Sequence, residues 1–262
     1  MRRLFIDVDT QNDFLCNDKI YVDPLIPYRI KRLVKYAMAE RIPIIGSVDS
    51  HEHDVWFTNL LSNSEPVHCV KGTWGWLKIQ DTLPDRAVFV SFLDPDHAPC
   101  PIAPTNDLDK ELFLPGALPS MSEDTPAKIS VATATHPSHK FAQGFYLEKM
   151  EGTLFNNPMC TSLLDPFFAN GFRKDRTLQE EFEVVIFGVA VKETAMDFLI
   201  LSKDFAANGI PIKIKVVSNA TVYRGNKERH DSDRELMESA GVVFVEASEF
   251  IGEDRVTAAK KQ

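Results

Sequence analysis

Polar residues capable of chemistry stand just past, or at the end of, separate apolar runs: Asp9, the pair Asp49 and His51, Lys149, and Thr194. An acid and a lysine brought to one place favour their charged forms. The carboxylate can then accept a nucleophile's proton, and the ammonium can stabilise the product anion. The plainer alternative for Asp9 and Lys149 is a structural ion pair. Residues two apart on a strand point the same way, so Asp49 and His51 share a side, and a distant histidine would complete a zinc or other divalent site. A solvated His–Asp pair is the alternative there.

These residues need elements to position them. Apolar runs rich in β-branched residues recur at 4–8, 42–48, 87–93, 145–150, 184–190, 212–217 and 242–245 and read as strands buried on both faces. Between the first two, Ile26, Ile30, Leu33, Val34, Ala37 and Met38 have helical spacing, with Pro43 as the stop. Further helices are predicted over 194–208, closed by Gly209 and Pro211, and over 232–240, closed by Gly241. Strands alternating with helices imply a single three-layer α/β domain around a mainly parallel sheet of about six strands. Residues 94–135 are rich in Pro, Ser, Thr and Asp without sustained periodicity, and read as an irregular insertion or lid. In such a sheet ligands bind beyond the carboxyl ends of the strands, where the polar residues above fall.

Composition narrows the function classes. The chain has 262 residues, 44% hydrophobic and 26% charged, with a net charge of −9. That charge, without a basic run, disfavours nucleic acid and leaves small molecules as the expected ligands. No stretch is apolar enough to span a membrane and the start turns polar too early for a signal peptide, so the expected location is the cytoplasm. Cys16, Cys69, Cys100 and Cys160 have no paired spacing and read as reduced thiols acting as small semi-apolar fillers.

Three stretches resemble the isochorismatase and nicotinamidase superfamily of cysteine hydrolases. Phe5-Ile6-Asp7-Val8-Asp9-Thr10-Gln11-Asn12-Asp13-Phe14 is similar to its opening motif, which implies Asp9 as the catalytic aspartate. Asp49-Ser50-His51 with Pro66-Val67-His68-Cys69-Val70-Lys71-Gly72-Thr73 resembles the metal-binding region, implying Asp49, His51 and His68 as ligands of a divalent metal, zinc by preference, with His53 a fourth candidate. Leu147-Glu148-Lys149-Met150-Glu151-Gly152-Thr153-Leu154-Phe155-Asn156-Asn157-Pro158 resembles the segment of the catalytic lysine, implying that role for Lys149. The resemblance also makes self-association an expectation.

The chain departs from the family at the nucleophile. The family's cysteine stands at a helix N-terminus six residues after a glycine, and an ungapped count from Gly188 reaches Thr194. Alternatively, Val191-Lys192-Glu193-Thr194-Ala195 matches the residues that follow the cysteine, and about four residues including the nucleophile are deleted. A threonine hydroxyl needs a base in concert, here Asp9, and the competing role for Thr194 is a helix cap. Phe14, Trp74, Trp76 and Phe155 could wall a pocket for a flat ring, or simply pack. Three functions follow: hydrolysis of a small planar amide through Thr194, hydrolysis by a metal-activated water, or a catalytically degenerate binding module.

Overall fold

The computed structural model describes residues 2–16, 22–52, 67–84, 87–90, 144–149, 152–169, 181–207, 211–223 and 227–252. The region 94–135, His53 and Cys100 lie outside the described residues. Seven strands form one parallel sheet: β1 (Arg2–Val8), β2 (Ile44–Asp49), β3 (Ala87–Val90), β4 (Gly144–Lys149), β5 (Phe182–Val189), β6 (Ile212–Val222) and β7 (Val243–Val245), in the order β3-β4-β2-β1-β5-β6-β7. Among the described residues the sheet has seven strands, against about six expected, because the short runs at β3 and β7 both pair, each as an edge.

Central strands are buried on both faces, which is why they read as continuous apolar runs. All residues of β5 and β2 are buried. On one face Leu4, Ile6, Ile45, Leu147, Ile186 and Val216 pack against α3 (Met159–Ala169), α4 (Lys192–Ala207) and α5 (Lys227–Ala240). On the other, Phe5, Ile44, Val48, Tyr146, Val185 and Phe187 meet α2 (Leu25–Ala39), α6 (Ser248–Ile251) and the segment 67–84. A one-turn helix α1 (Asn12–Leu15) follows β1.

Three boundaries differ from expectation for local reasons. Helix α2 ends at Ala39, before Pro43, because Arg41 takes a left-handed conformation (φ 56°) and the Ile42 N–H turns back to the Ala37 carbonyl at 2.8 Å. Pro43 instead leads into β2, its carbonyl accepting from the Phe5 N–H. Helix α4 begins at Lys192, so Thr194 is its third residue and not its cap. Helix α5 begins at Lys227, ahead of the expected 232, and its charged first turns show no apolar period that would signal the earlier start.

Candidate functional site

Three adjacent strands, β1, β2 and β4, end at one place. Asp49 and Lys149 are the last residues of their strands and stand directly opposite each other in register. Asp9 follows β1 in a left-handed turn (φ 49°), a conformation that Asp tolerates better than most residues. The Lys149 Nζ lies 2.9 Å from Asp9 Oδ2 and 3.3 Å from Asp49 Oδ1. All three side chains are buried. Ser47, two residues before Asp49 and on the same side of β2, donates its hydroxyl to Asp9 Oδ1 at 2.7 Å.

Burial and charge push the two carboxyls apart. Burial raises the Asp9 pKa, and the charge of Asp49 adds to it, outweighing Lys149 and the Ser47 hydroxyl. Asp49 is buried too, but the Lys149 charge and the bonds from His51 and His68 hold it well below the usual carboxylate range. Burial works against the Lys149 ammonium, yet Asp9 and Asp49 together hold its pKa above the ordinary lysine value. The two environments thus favour the neutral form of Asp9 and the ionised form of Asp49.

Asp49 divides its oxygens. Oδ1 faces Lys149, whereas Oδ2 lies 3.1 Å from His51 Nε2 and 3.3 Å from His68 Nε2. These three donor atoms all fall within 4.8 Å of one another. Ligands bonded at about 2.0–2.1 Å in a tetrahedral zinc site stand about 3.3 Å apart, so both measured contacts match edges of such a site. The donor set of one carboxylate and two imidazoles suits zinc and other borderline divalent ions. The residues present therefore fit a divalent metal. The two rings meet edge to face with centroids 5.0 Å apart.

His68 arrives on the segment 67–84, which the residues after Asp9 hold along its length. The Asn12 side chain donates to the Trp74 carbonyl, the Asp13 N–H donates to the Gly75 carbonyl, and the Cys69 N–H donates to Asp13 Oδ2 at 2.7 Å. His51 pairs with Val70 in a parallel bridge. Lys71 Nζ reaches the buried Glu148 at 2.8 Å and ties the segment to β4. Deeper on the same face, Lys78 Nζ lies 3.1 Å from Asp7 Oδ2 with both side chains fully buried. The Tyr146 ring lies 4.5 Å from that ammonium and crosses strand β2 at Gly46, where a Cβ would come within 2.5 Å of it.

Other candidate residues are placed as follows. Trp74 is 49% exposed, whereas Trp76 is buried, its indole N–H donating to Ser50 Oγ at 2.7 Å. Phe14 is buried with its ring 5.2 Å from that of His68. Phe155 packs edge to face on Phe198 at 5.0 Å, in the cluster under α4. Thr194 is buried in the first turn of α4. The turn from β5 into α4 is made by Ala190 (φ 49°) and Val191, neither of which carries a nucleophile. Cys69 is buried beside the site, and burial and the nearby Asp49, Asp9 and Asp13 charges push its thiol far up, away from thiolate. Cys160 is a buried filler; Cys16 is exposed, not the filler expected.

Sequence reasoning missed Ser47, Gln11, Asp13 and the Asp7–Lys78 pair. The first could have been found from its spacing two before Asp49; Asp7, Gln11 and Asp13 lie in a motif read only for its catalytic residue, and Lys78 lies outside every motif.

No family model matches the chain, and no curated protein matches it. Solved structures do. N-carbamoylsarcosine amidase from Thermoplasma acidophilum superposes with a TM-score of 0.52 at 15% identity, over 94% of this chain and 97% of that one. Pyrazinamidase of Pyrococcus horikoshii, in complex with zinc, gives 0.52 at 14% identity over 94% and 99%. An isochorismatase family protein from Desulfovibrio vulgaris gives 0.53 at 15% identity over 99% and 98%. The chain therefore has the isochorismatase-like hydrolase fold, a three-layer α/β architecture around a parallel sheet.

Proposed function

We propose that this chain hydrolyses the C–N bond of a small, planar amide at the ends of β1, β2 and β4. The observation that carries the reading is the buried Asp9–Lys149–Asp49 array, in which one ammonium sits between a carboxyl of raised pKa and one held ionised. Amidases among the structures of like fold support the substrate class. Asp9 is the base, oriented by the Ser47 hydroxyl on one oxygen and by Lys149 on the other. Lys149 stabilises negative charge as it develops on the substrate. Asp49, His51 and His68 would hold a divalent ion, zinc by preference, which supplies Lewis acidity and an anchor for a substrate heteroatom. Trp74, exposed on the segment that carries His68, is the candidate to cover a ring, with Phe14 against His68.

The attacking group in this reading is a water molecule deprotonated by Asp9. Thr194 is buried inside the first turn of α4, and the turn where a nucleophile would stand holds Ala190 and Val191. The test is ammonia release by zinc-loaded protein from nicotinamide, pyrazinamide and N-carbamoylsarcosine. Release should vanish in Lys149→Ala and persist in Thr194→Val, with no substrate-derived mass on the quenched protein. An adduct on Thr194 would instead make that hydroxyl the nucleophile. The empty-handed turn at Ala190 also favours a second reading, a degenerate binding module, and tight binding of these amides without release would select it.

A further inference from the structure

We propose that Gln11 is the positioning residue of the metal site, a proposal that rests on reading Asp49, His51 and His68 as ligands. Its side chain is fully buried, and its amide pairs with both backbone groups of one residue. The Asp49 N–H donates to Gln11 Oε1 at 2.8 Å, and Gln11 Nε2 donates to the Asp49 carbonyl at 2.8 Å. The remaining Nε2 hydrogen goes to the Trp76 carbonyl, also at 2.8 Å. One side chain thus acts as an extra strand edge for Asp49 and, at the same time, holds the segment that brings His68.

The chemistry requires this residue type. A planar amide offers one acceptor and two donors on one rigid group, and this site uses all three functions. Glutamate has the same shape but no donor, and would set a carboxylate oxygen against two carbonyls. Methionine fills the volume but leaves the Asp49 N–H and two carbonyls without partners in a buried place. The 3.3 Å contact between Asp49 Oδ2 and His68 depends on the register between β2 and the 67–84 segment, whereas His51, 3.1 Å from the same oxygen, stands two residues beyond Asp49 on the same stretch of chain. Gln11 spans that joint directly, whereas Asn12 and Asp13 grip only the segment. Partners behind metal ligands typically contribute 10–100-fold to affinity.

The experiment measures zinc affinity by chelator competition on the purified full chain, for Gln11→Glu, Gln11→Met and Arg3→Ala. The last removes a 2.7 Å bond to Glu183 at the far ends of β1 and β5, and serves as a destabilised control that touches no ligand. Circular dichroism checks that each variant is folded. The expected result is affinity weakened about 10- to 100-fold in both Gln11 variants and unchanged in Arg3→Ala. Equal affinity in all three overturns the inference, as does equal weakening in all three, which would reduce Gln11 to general stability. Should the Gln11 variants fail to fold, amide exchange in the unsubstituted protein decides: zinc should slow exchange at Asp49, Cys69, Asn12 and Asp13 together. Slowing confined to Asp49 and Cys69 overturns the inference. A folded, unsubstituted protein that binds no zinc overturns the metal reading itself, and the inference with it.

Discussion

In the proposed hydrolysis the residues around Asp9 separate into the one that would exchange a proton and those that hold it in place. Asp9 has its pKa raised by burial and by Asp49, so under the proposed function the base is lost on acidification at a higher pH than for an ordinary aspartate. Hydrolysis should therefore rise with pH along a single limb set by Asp9, and Asp9→Asn should remove activity at every pH; a pH–rate profile of ammonia release checks both. The Asp7–Lys78 pair has a different role. Burial lowers the Lys78 pKa, and Asp7 is the carboxylate opposing that shift most directly. Removing one partner leaves a buried charge uncompensated, so Lys78→Met should cost about 3–5 kcal/mol in urea unfolding, while Asp7→Leu combined with Lys78→Met should recover most of it. This pair was invisible in the sequence because Asp7 and Lys78 are far apart in the chain and neither breaks an apolar pattern strongly enough to be noticed. Asp9, Asp49, His51, His68 and Lys149 were legible because each stands at or near the end of an apolar run or in a motif resembling a known family.

At the scale of elements, the seven strands could be read from their apolar runs, but the turns that fix function could not. Left-handed residues at Asp9, Cys69 and Ala190 set how chain leaves β1, enters the site after His68, and passes from β5 to α4. Nothing in the residue types Cys and Ala announces such a conformation, and only the packed sheet edge imposes it. Gly188 is the contrast: at φ 114° its added Cβ would lie 2.1 Å from the Val8 carbonyl oxygen, so no other residue fits between β5 and β1. Ala190 carries the strain of a Cβ in the left-handed region, about 1–2 kcal/mol. Ala190→Gly should release part of it and raise stability by about 0.5–1 kcal/mol, read by thermal or denaturant unfolding, without loss of ammonia release, since the side chain contributes no reacting atom. The start of α4 likewise had to be observed: an ungapped count set Thr194 at the helix entrance, and the structure makes it the third residue, inside the first turn.

At the scale of the molecule, the two edges of the sheet differ in what their charges do for folding. At the N-terminal edge Glu183 accepts from Arg3 at 2.7 Å and Lys215 at 2.7 Å, and these partners lower its pKa despite burial. A carboxyl whose folded pKa is lowered contributes stability above its unfolded pKa and loses it as pH falls through the folded value. Asp9, at the C-terminal edge, has the opposite sign. Its folded pKa is raised, so the folded chain holds that proton more tightly, and stability declines as pH rises from the unfolded to the folded pKa. At neutral pH the functional edge therefore opposes folding through Asp9 while the far edge supports it through Glu183. Chemical denaturation at pH 7 should find Asp9→Asn more stable than the unsubstituted chain, by about 0.5–2 kcal/mol, and inactive, the usual relation between a strained site and its scaffold. Glu183→Gln should be less stable and keep its zinc affinity, because it touches neither the Asp9–Lys149 pair nor the segment carrying His68. Lowering the pH below about 4 should shrink the difference between Glu183→Gln and the unsubstituted chain, since protonation removes the same charge that the substitution does.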